Sequence, residues 1–378
     1  MNDRTNDMID VDARLSHLRG RALPVNHNAR TISALAANPG CPRRSLLDAA
    51  GVDKQKVAKH TGYPAPFGQS VFAITRGKAF EARVKEDGAA QLLTLLREHL
   101  DLDVTEVGYT NFEDVAGNES PEVRHVRTRH ALTGTDYGPR TLFDHPMLRL
   151  RVGGRHAYLE PDLITLRLDG TFHIIEIKSF PVIDGQADPA GVAAAAIQSA
   201  VYVRALRDLL AEAGGDPRKV SHETILVAPK DFTSQPVAAR LDVRKQLGVL
   251  DRQLIRMTQI ENLLDVCPAE LTFDLDPDRD GTPRRDPGDL DADLKQIKAN
   301  YAPECLSTCE LCFSCRDEAG METGALGKSV RDDLGGIEYH QRVLNYARGH
   351  QAPAENAEIA AQLQRAGRLR EQLLGEVI

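Results

Sequence analysis

Four stretches of apolar or alternating residues at strand length cluster in the middle of this chain: Met147–Val152, Ala157–Leu168, Thr171–Lys178 and Ser221–Pro229. Asp169-Gly170 joins the second to the third, and Asp-Gly between two such runs is a strong hairpin signal. Windows rich in helix formers flank them, Thr75–Leu100 before and Ala190–Leu210 after the hairpin. Residues 239–265 and 290–301 read as further helices. The tail from Gly335 to Ile378 places apolar residues at helical spacing, with Pro353 dividing two segments, and reads as a helical hairpin. The resulting order is helix, three strands, helix, strand, an α/β arrangement. Residues 105–146 carry no clear period and read as an insertion, while residues 1–25 are polar and read as a loose arm.

Pro161-Asp162 is expected to close one strand, and Glu176-Ile177-Lys178 to lie in the next. Side chains alternate across a strand, so Glu176 and Lys178 share one face while Ile175 and Ile177 take the other. Asp162 then reaches the same spot from the neighbouring strand. Two carboxylates and a lysine at a strand end suit a divalent cation and a phosphodiester. Pro277-Asp278 with Asp293-Leu294-Lys295 satisfies the same expression, but no strand flanks it. That stretch also begins like a calcium-binding loop at Asp276, Asp278, Asp280 and Gly281. Pro287 stands where the bidentate glutamate belongs, so it reads as a solvated acidic loop. Gln198 and Tyr202 lie four residues apart on one face of the following helix. On the preceding helix, Gly77 and Glu81 have the same spacing.

These residues together resemble the PD-(D/E)xK nuclease superfamily, and Gln-x-x-x-Tyr after a Glu-x-Lys strand is similar to its RecB-type branch. The resemblance implies a restriction-endonuclease-like core, a mixed central sheet flanked by helices. It implies that Asp162 and Glu176 hold Mg²⁺ or Mn²⁺ and that Lys178 orients the attacking water or stabilises the transition state. It further implies that Gln198 and Tyr202 flank the metal and touch the DNA backbone. RecB-type nucleases carry a metal-ligating histidine where this chain has Glu81. A carboxylate there completes an all-oxygen set suited to Mg²⁺ or Mn²⁺. The alternative is a solvent-facing glutamate in a first helical turn.

Six cysteines occur: Cys41, Cys267, Cys305, Cys309, Cys312 and Cys315. No signal peptide and no apolar run of transmembrane length is evident, which points to the cytoplasm and to no membrane partner. Clustered thiols in a reducing compartment point to metal or redox chemistry. One cysteine before Pro42-Arg43-Arg44 and a cluster after the core resemble the iron–sulfur RecB-like nucleases. These include the AddB nuclease domain and the iron–sulfur nuclease of CRISPR adaptation. The resemblance implies that Cys41, Cys305, Cys309 and Cys315 hold a [4Fe–4S] cluster stapling the two ends of the domain together. Five residues between Cys309 and Cys315 match that pattern, whereas three between Cys305 and Cys309 exceed the usual two. Cys309-x-x-Cys312 is also acceptable metal spacing, and zinc on four cysteines is the structural alternative. Cys267 reads as a buried apolar thiol.

The chain has 378 residues, a net charge of −8, no tryptophan and 5% aromatic residues. Scarce aromatics argue against a stacking platform for single-stranded bases. Overall acidity argues against a broad basic surface, so DNA contact must come from local patches. Arg43, Arg44, Arg76 and Lys78 lie near the inferred site and could supply one. The expected organisation is an N-terminal arm over 1–25, a nuclease domain over 26–320 and a helical tail over 321–378. The expected activity is metal-dependent DNA cleavage in DNA repair, CRISPR adaptation or antiphage defence. No helicase motor is evident, so processing long duplexes would need a partner helicase or ATPase. Two other readings stay open. One is a nuclease-fold subunit that binds DNA or a partner without cutting, and the other is a restriction-type endonuclease carrying zinc.

Overall fold

A computed structural model describes residues 3–65, 71–98, 108–112, 119–134, 142–166, 170–231 and 233–375. They divide into two compact units, residues 1–40, 44–53 and 66–274 in the first, and residues 41–43, 54–65 and 275–378 in the second. The N-terminal helices are α1 (Asp3–Arg19), α2 (Ala29–Ala37), α3 (Pro42–Ala50) and α4 (Lys54–His60). Helices α5 (Val71–Val84) and α6 (Glu86–Glu98) follow, then strand β1 (Tyr109–Asn111) and helix α7 (Pro121–Thr133). Next come β2 (Leu142–Asp144), β3 (Leu148–Val152), β4 (Arg155–Leu159), β5 (Leu163–Leu166) and β6 (Phe172–Ile177). A short hairpin, β7 (Val182–Ile183) and β8 (Gln186–Ala187), leads into the long helix α8 (Pro189–Glu212). The first unit ends with β9 (Glu223–Pro229), β10 (Pro236–Asp242), α9 (Arg244–Met257) and α10 (Glu261–Leu264).

The central sheet has six strands in the order β1-β2-β5-β6-β9-β10. Two neighbouring pairs, β1/β2 and β6/β9, run parallel and the others antiparallel, so the sheet is mixed. A parallel neighbour demands a crossover, and α8 supplies it between β6 and β9. On one face, Leu142, Leu163, Ile175, Ile177, Ile225 and Val227 pack against Phe80 and Val84 of α5 and Ala89, Leu92 and Leu96 of α6. Each such aliphatic side chain contributes about 1.5–3 kcal/mol by burial. All six residues of β6 are buried, and α8 packs against this strand. The fold is therefore α/β with a mixed central sheet flanked by helices, as expected.

Several elements differ from the sequence reading. The stretch expected as one strand from Ala157 to Leu168 breaks at Glu160–Asp162, so Pro161-Asp162 opens β5 instead of closing a strand. Proline lacks the N–H that a continuing ladder requires. The residues before the break pair as β4 with β3 in a separate two-stranded sheet, and β2 takes the expected place of β3 beside β5. Residues 167–169, including the aspartate of the Asp169-Gly170 turn, lie outside the described residues, while Gly170 has φ +80°. The expected continuous helix from Thr75 is interrupted by left-handed backbone at Asp87, Gly88 and Ala89, with φ of 51°, 67° and 63°. Its expected end at residues 99–100 lies outside the described residues. The aperiodic insertion contains β1, α7 and β2. The polar arm is helix α1, which buries Leu15 and Leu18.

In the second unit, α11 (Pro287–Gln296) is capped by Asp286, whose carboxylate accepts from the backbone N–H groups of Gly288 and Asp289. The short helices α12 (Cys305–Thr308) and α13 (Cys312–Ala319) carry the thiol cluster. After α14 (Lys328–Asp333), helices α15 (His340–Ala347) and α16 (Ala357–Gly375) pack around Ile337, Tyr346 and Ala360. This is the expected helical hairpin, with Pro353 between its arms. In the acidic loop, Asp278 Oδ1 turns back to accept from the N–H groups of Asp280 and Thr282, at 3.0 and 2.8 Å. Among the described residues, no helix is long and apolar enough to cross a membrane.

Candidate active site

The end of β6 gathers the acidic residues and the lysine. Ile177 points into the α5–α6 face, so alternation turns Glu176 and Lys178 toward α8. Glu176 is 1% exposed, and one of its carboxylate oxygens is ion-paired with Lys178 Nζ. Lys178 donates to Gln198 Oε1 at 3.1 Å, and Gln198 Nε2 donates to the Tyr202 hydroxyl at 2.9 Å. Asp162, at the start of β5, accepts from the N–H of Ile177 at 2.6 Å. The Lys178 N–H is itself held by the carbonyl of Val227 at 2.8 Å. Asp162, Glu176, Lys178, Gln198 and Tyr202 are thus linked across β5, β6 and α8.

Burial dominates the electrostatics of this group. It pushes the Glu176 carboxyl up to about 8, with Asp162 adding repulsion and Lys178 partly offsetting both. Burial raises Asp162 as well, again opposed by Lys178. Tyr202 is raised well above its ordinary value by burial and by Glu176, so its hydroxyl stays protonated. Two carboxylates close together inside a protein resist sharing two negative charges. The second oxygen of Glu176 is buried and has no hydrogen-bond partner. An orphaned carboxyl oxygen beside another carboxylate, once its proton is displaced, suits a divalent cation. Among the described residues, no three His, Cys, Asp or Glu side chains are drawn to the spacing of ligands on a single ion.

Glu81 lies on α5, which runs past the end of β6: a Cβ on Gly77 would stand 3.8 Å from Ser179 Oγ. Its charge is felt at Asp162, Glu176 and Lys178. Four residues not singled out from the sequence form a network around it. Lys85, one turn on, forms an ion pair with Glu81 and a second with Asp144 at 2.6 Å. His145 Nε2 stands 3.3 Å from Glu81, and its Nδ1 stands 2.9 Å from Asp144. The Tyr109 hydroxyl donates to Asp144. His145 holds Glu81 down to about 2 against the opposing effect of burial. Asp144 and Glu81 in turn hold His145 up to about 10. The backbone N–H of His145 donates to the Asp162 carbonyl at 3.2 Å, tying this network to the start of β5.

Two of the four candidate DNA-contacting cations are corrected. Arg43 is 1% exposed and Arg44 is 3% exposed. Arg44 is ion-paired at 3.1 Å with Asp48, which is also buried. Arg43 donates to the Ile297 carbonyl, the Cys315 sulfur and the Glu318 carboxylate. A guanidinium sealed inside and already paired cannot meet a phosphate. Arg76 and Lys78 are exposed on α5.

In the second unit, Cys41, Cys305, Cys309, Cys312 and Cys315 are all buried and free of disulfides. Cys41 acts electrostatically on Cys315, and Cys305 acts on Cys312. Burial pushes the Cys315 thiol up to about 11, against the pull of Arg43. Shielded sulfur donors beside a fixed cation fit a thiolate-bound group. Cys312 is as buried as the other four, and Cys267, in the first unit, is half-buried.

No family model matches the chain, and no curated protein matches it. Among solved structures it is similar to a candidate exonuclease from Eubacterium rectale, with TM-score 0.29 and 13% identity over 62% of this chain and 80% of that one. It is also similar to the protein SSO0001, with TM-score 0.25 and 14% identity over 70% of this chain and 98% of that one. Both likenesses are too slight to carry an argument, and the functional reading rests on the residues above.

Proposed function

We propose that this chain is a metal-dependent DNA nuclease in which Asp162 and Glu176, joined by Glu81, hold Mg²⁺ or Mn²⁺. The observation that carries the reading is the buried, unpartnered oxygen of Glu176 beside Asp162. When bound, the ion would neutralise charge on the scissile phosphate and activate water. Lys178 keeps a positive charge at the strand end, where it would orient the nucleophile or stabilise the crowded phosphorus. Gln198 fixes the Lys178 ammonium from the helix side and is steadied by Tyr202. Both would position the DNA strand, and Arg76 and Lys78 would meet its backbone. Cys41, Cys305, Cys309 and Cys315 would hold a structural [4Fe–4S] cluster, and a helicase or ATPase partner would feed long duplexes. DNA repair, CRISPR adaptation and antiphage defence are the settings this activity fits.

The test is cleavage of single- and double-stranded DNA with Mn²⁺ or Mg²⁺, run beside Mn²⁺ binding followed by electron paramagnetic resonance. Wild type should bind Mn²⁺ and cut, and Glu176→Gln and Lys178→Ala should not cut. Wild-type rates in both variants would remove this site from the reaction. A second reading, a subunit that binds DNA without cutting, is favoured by the engagement of Glu81 with Lys85 and His145. DNA binding with no cleavage under any divalent cation would establish it.

A further inference from the structure

We infer that Arg43 is the cation of the thiol site: its guanidinium donates to the Cys315 sulfur and clasps the segment bearing Cys41 onto the segment bearing the other cysteines. This inference rests on the iron–sulfur reading above and adds a residue that the cysteine pattern alone does not contain.

Every arm of the arginine is used. Nε donates to the Ile297 carbonyl at 2.9 Å, and Nη2 donates to Glu318 Oε1 at 3.0 Å. Nη1 lies 2.7 Å from Glu318 Oε2 and donates to Cys315 Sγ at 3.3 Å. The backbone N–H of Arg43 donates to the Lys298 carbonyl at 3.3 Å, anchoring the same residue twice. Residues 41–43 therefore join the second unit through Arg43, across more than two hundred intervening positions. Only a planar fork with five N–H donors can serve a carboxylate, a carbonyl and a sulfur at once.

The chemistry points at a sulfur ligand. A buried guanidinium is costly unless every donor is satisfied, and Glu318 alone would balance its charge. The additional donation to sulfur is worth most when that sulfur is a thiolate, since hydrogen bonds to charged acceptors are the strong ones. A thiolate buried among other thiolates needs such a donor, and bound iron is what would keep it deprotonated. Hydrogen bonds to cluster sulfurs and nearby charge are among the factors that set a cluster's potential. Arg43 would therefore raise the potential of the bound cluster as well as hold its ligands in register.

The experiment uses the full chain purified without oxygen, with iron and acid-labile sulfide assayed, visible absorbance recorded and the midpoint potential titrated. Arg43→Gln should lose iron several-fold, and the cluster it retains should have a more negative midpoint. Arg43→Lys should recover part of both. Glu318→Gln keeps the donor and removes a negative charge, so its midpoint should move the opposite way, to more positive values. If Arg43→Gln fails to fold, absence of that positive shift in Glu318→Gln overturns the inference. Full iron and an unchanged midpoint in Arg43→Gln overturn it as well and leave the iron–sulfur reading standing. A wild type with neither iron nor labile sulfide sinks the iron–sulfur reading, and this inference with it.

Discussion

His145 Nε2 stands 3.3 Å from Glu81 Oε1, bringing an imidazole from the turn after β2 to a carboxylate on α5. The ring is fixed at its other nitrogen by Asp144 at 2.9 Å. His145 itself sits at φ +49°, a left-handed conformation that costs about 1–3 kcal/mol in a non-glycine residue. Such strain persists only where the surroundings demand it, here two carboxylates on one ring. If His145 orients Glu81 toward the cation, His145→Ala should weaken Mn²⁺ binding by about tenfold to a hundredfold. Unchanged affinity by resonance titration would show that Glu81 needs no such support.

Glu81 itself is held down to about 2, so it is ionised throughout the working range. Glu81→Ala should lower both metal affinity and cleavage, whereas Glu81→His should keep part of each. Full cleavage by Glu81→Ala would leave a site of two carboxylates and make Glu81 only an ion-pair partner of Lys85 and His145.

Glu176 gives the site a pH signature. Burial first, then Asp162, raise its folded value to about 8 from an ordinary 4.5. The folded chain therefore holds this proton more tightly than the unfolded chain. Its contribution to stability is complete below about 4.5 and is lost as pH rises through about 8. Metal-free wild type should lose melting temperature across that window, and Glu176→Gln should lose less. His145, also raised, loses its contribution in the same direction, so the difference between wild type and variant isolates Glu176. A cation must displace the proton, so Mn²⁺ affinity should climb as pH rises toward about 8. Flat affinity across this range would count against Glu176 as a ligand.

The sequence carried the cluster at the end of β6 further than its surroundings. Asp162, Glu176 and Lys178 were legible because a buried strand advertises itself, and alternation decides which residues share a face. Gln198 and Tyr202 followed from helical spacing. The network of Tyr109, Asp144 and His145 was not legible: β1 and β2 are three-residue strands, too short for a period to show. Helix α1 was hidden because so few apolar residues mark its buried face. Arg43 and Arg44 misled because a basic pair looks solvent-facing until its partners, far off in sequence for Arg43, are known. Pro161 was readable as a boundary but not as the start of a strand.

Thiol substitutions separate the ligands from their neighbours. If the proposed cluster is bound, Cys41→Ser, Cys305→Ser, Cys309→Ser and Cys315→Ser should each bleach the visible spectrum, empty the iron and lower the melting temperature, since each would remove one of its four ligands. Cys267→Ser, in the other unit, should change none of these. Cys312→Ser should retain iron if the five-residue interval sets the ligands. Its burial beside Cys305 makes the comparison decisive. Iron kept in Cys305→Ser but lost in Cys312→Ser would exchange the two.

The arginines divide by exposure, and salt dependence can read the division. Arg44 and Asp48 form a buried pair, and removing one partner of such a pair costs about 3–5 kcal/mol by stranding the other. Arg44→Ala should therefore lower the melting temperature sharply while leaving the salt slope of DNA binding unchanged in whatever fraction folds. Arg76 is exposed on α5, so Arg76→Ala should leave stability within about 0.5 kcal/mol. If Arg76 meets a phosphate, its loss should weaken binding equally across sequences and reduce the salt slope by about one. Lys78→Ala should behave likewise. A normal salt slope in both exposed variants would move the DNA path away from the start of α5, leaving the strand-end site to be approached from the side of Gln198 and Tyr202.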